Sequence, residues 1–531
     1  MTKDRIYLFD TTLRDGAQTM GVDFTLADKL AIASMLASLG LDYVEGGFPG
    51  SNLADTELFS TPRDLKTTFT AFGMTRRPGR SASNDIGFAA LLDAKADAIC
   101  FVAKAWDYHV RVALETTNEE NILSIKESVL AAKNKGFEVL LDCEHFFDGY
   151  KANPLFAIAC AKAAYDSGAR WVVLCDTNGG TFPQEIETII REVVKIIPGD
   201  HIAIHAHNDT DNAVANSLAA VLAGARQIQG SLNGLGERCG NANLVSLIPT
   251  LKFKPYYSER FDIAITDAEI KNLVKVSQAL DARLNRSPNR QAPYVGESAF
   301  ATKAGLHASA IRKWPEAYEH IAPSLVGNHR RILVSVQAGR SNILSELERL
   351  GIQVKKDDPK ISKLLELVKE REALGYTYEA ADASFDLLAR QTLGSVPQYF
   401  DVIQFDVDVE HRNNSEGQSK TITTAVIKLK IGEESIISVA EGNGHVNALD
   451  LALRKNLGKY QKFIERLSLI DYRVRILNLG TEAVTRVLIE SEDELGDRWT
   501  TMGVSPNIID ASFQAILDSI VYKLIKSKAT L

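Results

Sequence analysis

From the start of the chain to about residue 265, short apolar runs alternate with longer stretches whose apolar residues recur every three or four positions. The short runs read as strands: RIYLFD (5–10), DYVEGGF (42–48), TTFTAFG (67–73), DAICFVA (97–103), FEVLLDC (137–143), RWVVLCD (170–176), HIAIHAH (201–207) and RQIQGSL (226–232). Between them, segments such as LADKLAIASMLASLG read as amphipathic helices, with Gly40, Gly136, Gly168 and Gly224 where those helices should stop. Eight strand–helix units over roughly 250 residues is the pattern of a (β/α)8 TIM barrel. A doubly wound open sheet is the competitor, but no glycine-rich GxGxxG turn follows the first strand.

Beyond the barrel the pattern changes twice. Residues 266–395 are mainly helical, entered through a Pro/Asn/Gly-rich loop, SPNRQAPYVGES (287–298). Residues 396–531 alternate strands with helices, and GHVNALDLAL (444–453) aligns with NIIDASFQAI (507–516). Two strand-rich units, each closed by a helix, predict a pseudo-symmetric α+β domain. The expected fold is therefore a catalytic barrel (1–265), a helical linker region (266–395) and a C-terminal α+β regulatory domain (396–531).

Composition narrows the function. The 531 residues are 45% hydrophobic and 24% charged, as in an ordinary globular protein. A net charge of −8 argues against nucleic acid as a partner. Five cysteines without CxxC spacing read as reduced thiols, which points to the cytoplasm. MTKDRIYLFD carries charges where a signal peptide needs an apolar core, and no apolar run reaches membrane-spanning length.

Function in a barrel gathers at the C-terminal strand ends. The polar residues there are Arg14 and Asp15, Glu45, Arg76 and Arg77, Lys104, Glu144, Asp176 and Thr177, His205 and His207, Asn233 and Asn241. The strand period of two puts His205 and His207 on one side and Ile202, Ile204 and Ala206 on the other. Two imidazoles at the open end can grip one metal ion, with Asp15 and the Asn241 amide oxygen as further ligands. An isolated HxH is more often a pair of hydrogen-bonded strand histidines; four compatible donors on one face reverse that weighting. Mixed N/O donors suit Mn²⁺, Mg²⁺ or Zn²⁺ without choosing among them. Arg14 alone reads as a surface ion pair, but beside a metal its guanidinium suits a developing alkoxide or enolate. Cys239 has no basic partner at recognisable spacing and reads as structural. Asn208 and Asp209 read as loop or supporting residues.

FDTTLRDGAQ, HAHNDTDNAVANSLAAVLAGA and NGLGERCGNANL resemble the signatures of the metal-dependent acyl-CoA condensing barrels, the 2-isopropylmalate, homocitrate and citramalate synthases. AFATKAGLHASAI and YEHIAPSLVGNHRRILVSVQAGRSNI look most like the citramalate branch. The resemblance implies a Claisen condensation of acetyl-CoA with pyruvate, thioester hydrolysis, a homodimer and a C-terminal domain that binds an end-product amino acid, isoleucine on this branch. It implies metal ligands Asp15, His205, His207 and Asn241, with Arg14 on the 2-oxo acid and Thr177 holding its carboxylate. Glu144 matches the catalytic carboxylate. His307 matches a catalytic histidine that reaches a second subunit, and Tyr318 a tyrosine that positions it. Relatives often carry Asp two residues after that histidine; here it is Ser309, which puts that Asp's orienting role in doubt. Rival readings are another 2-oxo acid, a retro-Claisen lyase, a biotin-dependent carboxyltransferase and an inactive amino-acid sensor. Cys175 stands where the carboxyltransferases carry lysine, and the long C-terminal half argues against a lyase.

Overall fold

The structure is a computed structural model; it describes residues 3–529 apart from 62, 303–306, 308–309, 312, 333–339, 356, 379–380, 395, 414–418 and 478–482. Ser309 lies outside the described residues. The chain forms two compact units, Met1–Phe300 with Glu319–Arg330, and Ala301–Tyr318 with Arg331–Leu531.

In the first unit eight parallel strands close into a barrel: β1 (Tyr7–Asp10), β2 (Tyr43–Gly47), β3 (Thr68–Met74), β4 (Ala98–Lys104), β5 (Glu138–Glu144), β6 (Trp171–Asp176), β7 (Ile202–Ala206) and β8 (Gln227–Gly230). Closure comes from β1 pairing with β8, Tyr7 opposite Gln227. Each expected strand run overlaps one of these strands, and β3, β4 and β5 run one residue further, to Met74, Lys104 and Glu144. Helix ends follow local chemistry. Helix α1 (Leu26–Ser38) starts in a reciprocal cap, with the Thr25 hydroxyl accepting from the Asp28 amide and the Asp28 carboxylate from the Thr25 amide. Gly40, Gly136, Gly168 and Gly224 all have positive φ, which a side chain would resist.

Strand alternation sorts the residues into two cores. Ile202, Ile204 and Ala206 face outward into the layer shared with the helices. Phe9, Tyr43, Cys100, Leu140, Trp171, Val173 and Ala203 fill the barrel interior. There the buried Trp171 indole donates to the Tyr43 hydroxyl at 3.1 Å, and that hydroxyl donates to Glu138 at 2.6 Å. The interior is thus mainly apolar low in the barrel, apart from Gln227 and this Trp171–Tyr43–Glu138 chain, and gathers its charged and metal-ligating types of side chain toward the C-terminal strand ends. Leu273, Val276 and Leu280, from the helix Leu273–Arg283, belong to the same outer core.

The second unit contains helices Arg340–Arg349, Pro359–Ala373 and Asp382–Leu393. Two antiparallel three-stranded sheets follow: β9 (Asp401–Asn413), β10 (Ser419–Ile431), β11 (Glu434–Gly442), and then β12 (Ser468–Ile476), β13 (Thr485–Glu492), β14 (Arg498–Ser505). The helices His445–Lys455 and Ile508–Lys526 close them, starting at Gly444 and Asn507. The aligned repeat segments are therefore the first turns of equivalent helices. Ala425 and Ile427 of one sheet and Val487 and Ile489 of the other share a core with both helices. Among the described residues, no helix is long and apolar enough to cross a membrane.

Candidate active site

β7 and the β1 and β8 loops bring the expected ligands together. Among the described residues, Asp15, His205 and His207 form the one grouping of His, Cys, Asp and Glu side chains close enough to share an ion. The facing Nε2 atoms of His205 and His207 are 3.1 Å apart, and Asp15 Oδ2 is 3.3 Å from the first and 3.8 Å from the second. All three are buried, at 1% exposure for Asp15, 4% for His205 and 6% for His207. The Asn241 amide donates to Asp15 Oδ2 at 2.8 Å, while its own Oδ1 has no hydrogen-bond partner. A half-turn of that amide would exchange its two ends and turn the oxygen toward the cluster. His207 and Asn241 are held opposite each other by an isolated antiparallel bridge. The loop carrying Asn241 needs its glycines: a Cβ on Gly236 would lie 2.2 Å from Asn241 Oδ1, and one on Gly240 2.0 Å from the Gly234 carbonyl.

The donor set fits a divalent metal. Burial pushes the Asp15 carboxyl up, but Arg14 and His205 pull it down further, leaving it well below the usual carboxylate range. Burial and the His205 charge lower His207 to about 3, so its imidazole is neutral. Burial lowers His205 too, but the hydrogen bond and charge of Asp15 outweigh it and the net is upward. A cation bound there would compete with any proton held between Asp15 Oδ2 and His205 Nε2, 3.3 Å apart.

A chain of side chains sets the His205 tautomer. The Gln229 amide donates to Asp142 Oδ1 at 3.1 Å, which turns its oxygen toward His205 Nδ1 at 2.9 Å. Nδ1 therefore carries the proton shared with Gln229, and Nε2 is the atom presented to Asp15. Asp142 also accepts from the Cys100 thiol at 3.2 Å. Sequence reasoning missed Gln229 and Asp142. The signal was there, because Gln227 and Gln229 are polar at alternate positions of a strand whose inner face should otherwise be apolar.

Arg14 stands beside the cluster. Its Nε donates to Glu45 Oε2 at 2.7 Å, Nη1 is 3.6 Å from Asp15, and the guanidinium lies 4.0 Å from the centre of the Phe72 ring. Burial alone would lower its pKa, but Glu45 and Asp15 raise it, so the guanidinium stays charged. The Thr177 hydroxyl accepts from the His145 amide at 2.8 Å and keeps its own proton to donate. Glu144, at the end of β5, is ion-paired with Lys104 at the end of β4. Arg238 clamps Asp209 with two hydrogen bonds, 2.7 and 2.9 Å, and reaches the Thr177 carbonyl at 2.7 Å. Asp209 thus ties two loops, while Asn208 accepts from the Ala213 amide at 3.1 Å.

Other strand-end residues serve the scaffold. Arg76 pairs with Glu120 and Glu127, and Asn233 bonds Ser277 and Asp281. Cys239 is exposed. His307 and Tyr318 belong to the second unit, with ring centres 4.5 Å apart.

Residues 5–280 match the family described as HMGL-like, 294–373 the homocitrate synthase post-HMGL domain-like family, and 379–524 the LeuA allosteric (dimerisation) domain. An (R)-citramalate synthase of Aquifex aeolicus is 46% identical over 531 residues, covering 99% of each chain. The chain belongs to the HMGL-like family. An (R)-citramalate synthase of Geobacter sulfurreducens is 47% identical over 528 residues, 98% of each chain. A 2-isopropylmalate synthase of Methanocaldococcus jannaschii is 33% identical over 520 residues, 97% of this chain and 94% of that one. With these citramalate and 2-isopropylmalate synthases the shared length runs past the barrel into the C-terminal domain.

Proposed function

We propose that the chain condenses acetyl-CoA with pyruvate and hydrolyses the thioester, giving (R)-citramalate and CoA. The observation that carries this reading is the full-length similarity to (R)-citramalate synthases, and the buried Asp15–His205–His207 cluster beside a charged Arg14 supports it. Asp15, His205, His207 and Asn241 would hold a divalent ion, Mn²⁺, Mg²⁺ or Zn²⁺. When bound, that ion supplies Lewis-acid polarisation of the keto group.

The chain's own residues do the rest. Arg14, its guanidinium fixed by Glu45, faces the 2-oxo acid and takes up charge on the new alkoxide. The Thr177 hydroxyl donates to the substrate carboxylate. Glu144 or His307, directly or through a water, removes a methyl proton from acetyl-CoA, and the enolate carbon attacks the keto carbon. Water then cleaves the thioester. We assign His307, positioned by Tyr318, to the active site of the second subunit of a homodimer.

The same reading divides the chain into a catalytic barrel (1–265), helical linker (266–395) and allosteric domain (396–531). It places the enzyme in the cytoplasm, in isoleucine biosynthesis, with isoleucine as the feedback ligand. The test is free-CoA release from acetyl-CoA with a panel of 2-oxo acids, with and without chelator and with isoleucine or leucine added. Pyruvate should be preferred and chelator should abolish release. Preference for 2-oxoisovalerate or 2-oxoglutarate would replace the substrate with that of a 2-isopropylmalate or homocitrate synthase.

A further inference from the structure

Lys29 is buried in α1 at 4% exposure and touches no proposed ligand or substrate-binding side chain. Its ammonium donates to the Leu13 carbonyl at 2.9 Å, to the Gly46 carbonyl at 3.1 Å and to the Asp55 carboxylate. An ammonium has three hydrogens, and all three are committed. Leu13 precedes Arg14, and Gly46 follows Glu45. One cation therefore holds the two backbone segments that carry the Arg14–Glu45 pair.

Asp55 makes the site rigid on its other side. Its second oxygen accepts from the Phe48 amide at 2.9 Å, and its own amide is capped by Asn52 at 2.8 Å. Gly47, with φ +146°, leaves the room it needs: a Cβ there would come within 2.6 Å of the carboxylate. Taking an ammonium out of water costs several kcal/mol, and apolar replacements of buried ion pairs are often as stable. Fold stability alone is thus a poor reason for this pair, whereas placement of two segments across a strand boundary is a good one.

We propose that Lys29, with Asp55, is a positioning residue: it fixes the Leu13 and Gly46 carbonyls and so the direction in which Arg14 presents its guanidinium to the 2-oxo acid. This rests on the role given to Arg14 above, and the experiment separates the two. Lys29→Met combined with Asp55→Asn removes the cation without stranding a buried carboxylate. The double variant should fold, bind Mn²⁺ with wild-type stoichiometry and keep its KM for acetyl-CoA. Its kcat with pyruvate should fall about 10²-fold, the scale on which small misplacements of catalytic groups act. Hydrogen exchange should accelerate in residues 11–16 and 44–48 and nowhere else in the barrel.

Wild-type kcat in a folded double variant, or unchanged exchange in those segments, would overturn the proposal. So would failure of the double variant to fold, because the ammonium would then serve the fold and not Arg14. If the wild-type protein releases no CoA with any 2-oxo acid, the reaction assignment fails, and exchange confined to 11–16 and 44–48 still supports the clamp.

Discussion

Arg14 and Glu45 meet inside the barrel mouth, Nε to Oε2 at 2.7 Å, from the β1 loop and from β2. Burial pushes the Glu45 carboxyl up to about 7 even against the pull of Arg14. The pair is therefore costly to hide, and the Nε hydrogen bond together with the Phe72 ring sets the direction of the guanidinium. Glu45→Gln should lower kcat with pyruvate by about 10²-fold through misdirection of Arg14. Metal content, measured on the same preparation, should stay at the wild-type level.

His207→Ala and Asp15→Asn each remove a donor from a three-residue cluster. Purified variants should carry far less divalent metal by elemental analysis, and chelator should abolish wild-type turnover with recovery on adding Mn²⁺ back. Undiminished activity after exhaustive chelation would remove the metal from the reading.

Gln229 is the link between Asp142 and His205, so its loss leaves the His205 tautomer unset. Gln229→Leu should weaken metal affinity by about 10–100-fold, the usual scale for a partner of a ligating histidine. Competition with a fluorescent chelator reads this directly. An affinity equal to wild type would show that the tautomer is set elsewhere.

Glu144→Gln keeps the shape of the side chain and removes its basicity. Turnover should drop by about 10²-fold or more, while calorimetric binding of pyruvate to the metal-loaded protein persists. Retained turnover would leave His307 as the base.

The C-terminal domain has its own acid sensitivity. Burial pushes the Asp493 carboxyl up, but Lys526, Lys523 and the amides of Leu495 and Asp497 outweigh it, and the group is lowered from 3.8 to about 2. The lysine contacts are 3.1 and 3.2 Å. Because the folded value is depressed, its contribution to stability is complete above the ordinary carboxylate range and disappears as pH falls through about 2. The melting temperature of Asp493→Asn should therefore lie below wild type at neutral pH by a constant margin. That margin should shrink below pH about 4. A margin independent of pH down to about 2 would rule the carboxylate out as its source.

Much of this molecule is legible in one dimension because strand and helix periods differ. Alternation gave the eight strands, put Ile202, Ile204 and Ala206 outside, and left His205 and His207 facing in. The Gly-terminated helices and the repeated first turns at Gly444 and Asn507 were legible for the same local reason. Sequence position also singled out Asp15, Arg14 and Asn241, since barrel closure brings strand ends to one face whatever the loop details.

Pairings across the barrel were not legible. Which polar strand-end residue serves chemistry and which serves the scaffold depends on partners far away in the chain: Arg76 goes to Glu120 and Glu127, Lys104 to Glu144, Arg14 to Glu45. Gln229, Asp142 and Lys29 carry no motif, and each matters only through atoms that closure sets beside it. The chain by itself determined the barrel and the donors at its mouth, because hydrophobic period and residue chemistry are local. Only the tertiary structure decided how those donors are oriented, because hydrogen-bond direction is a property of pairs brought together by folding.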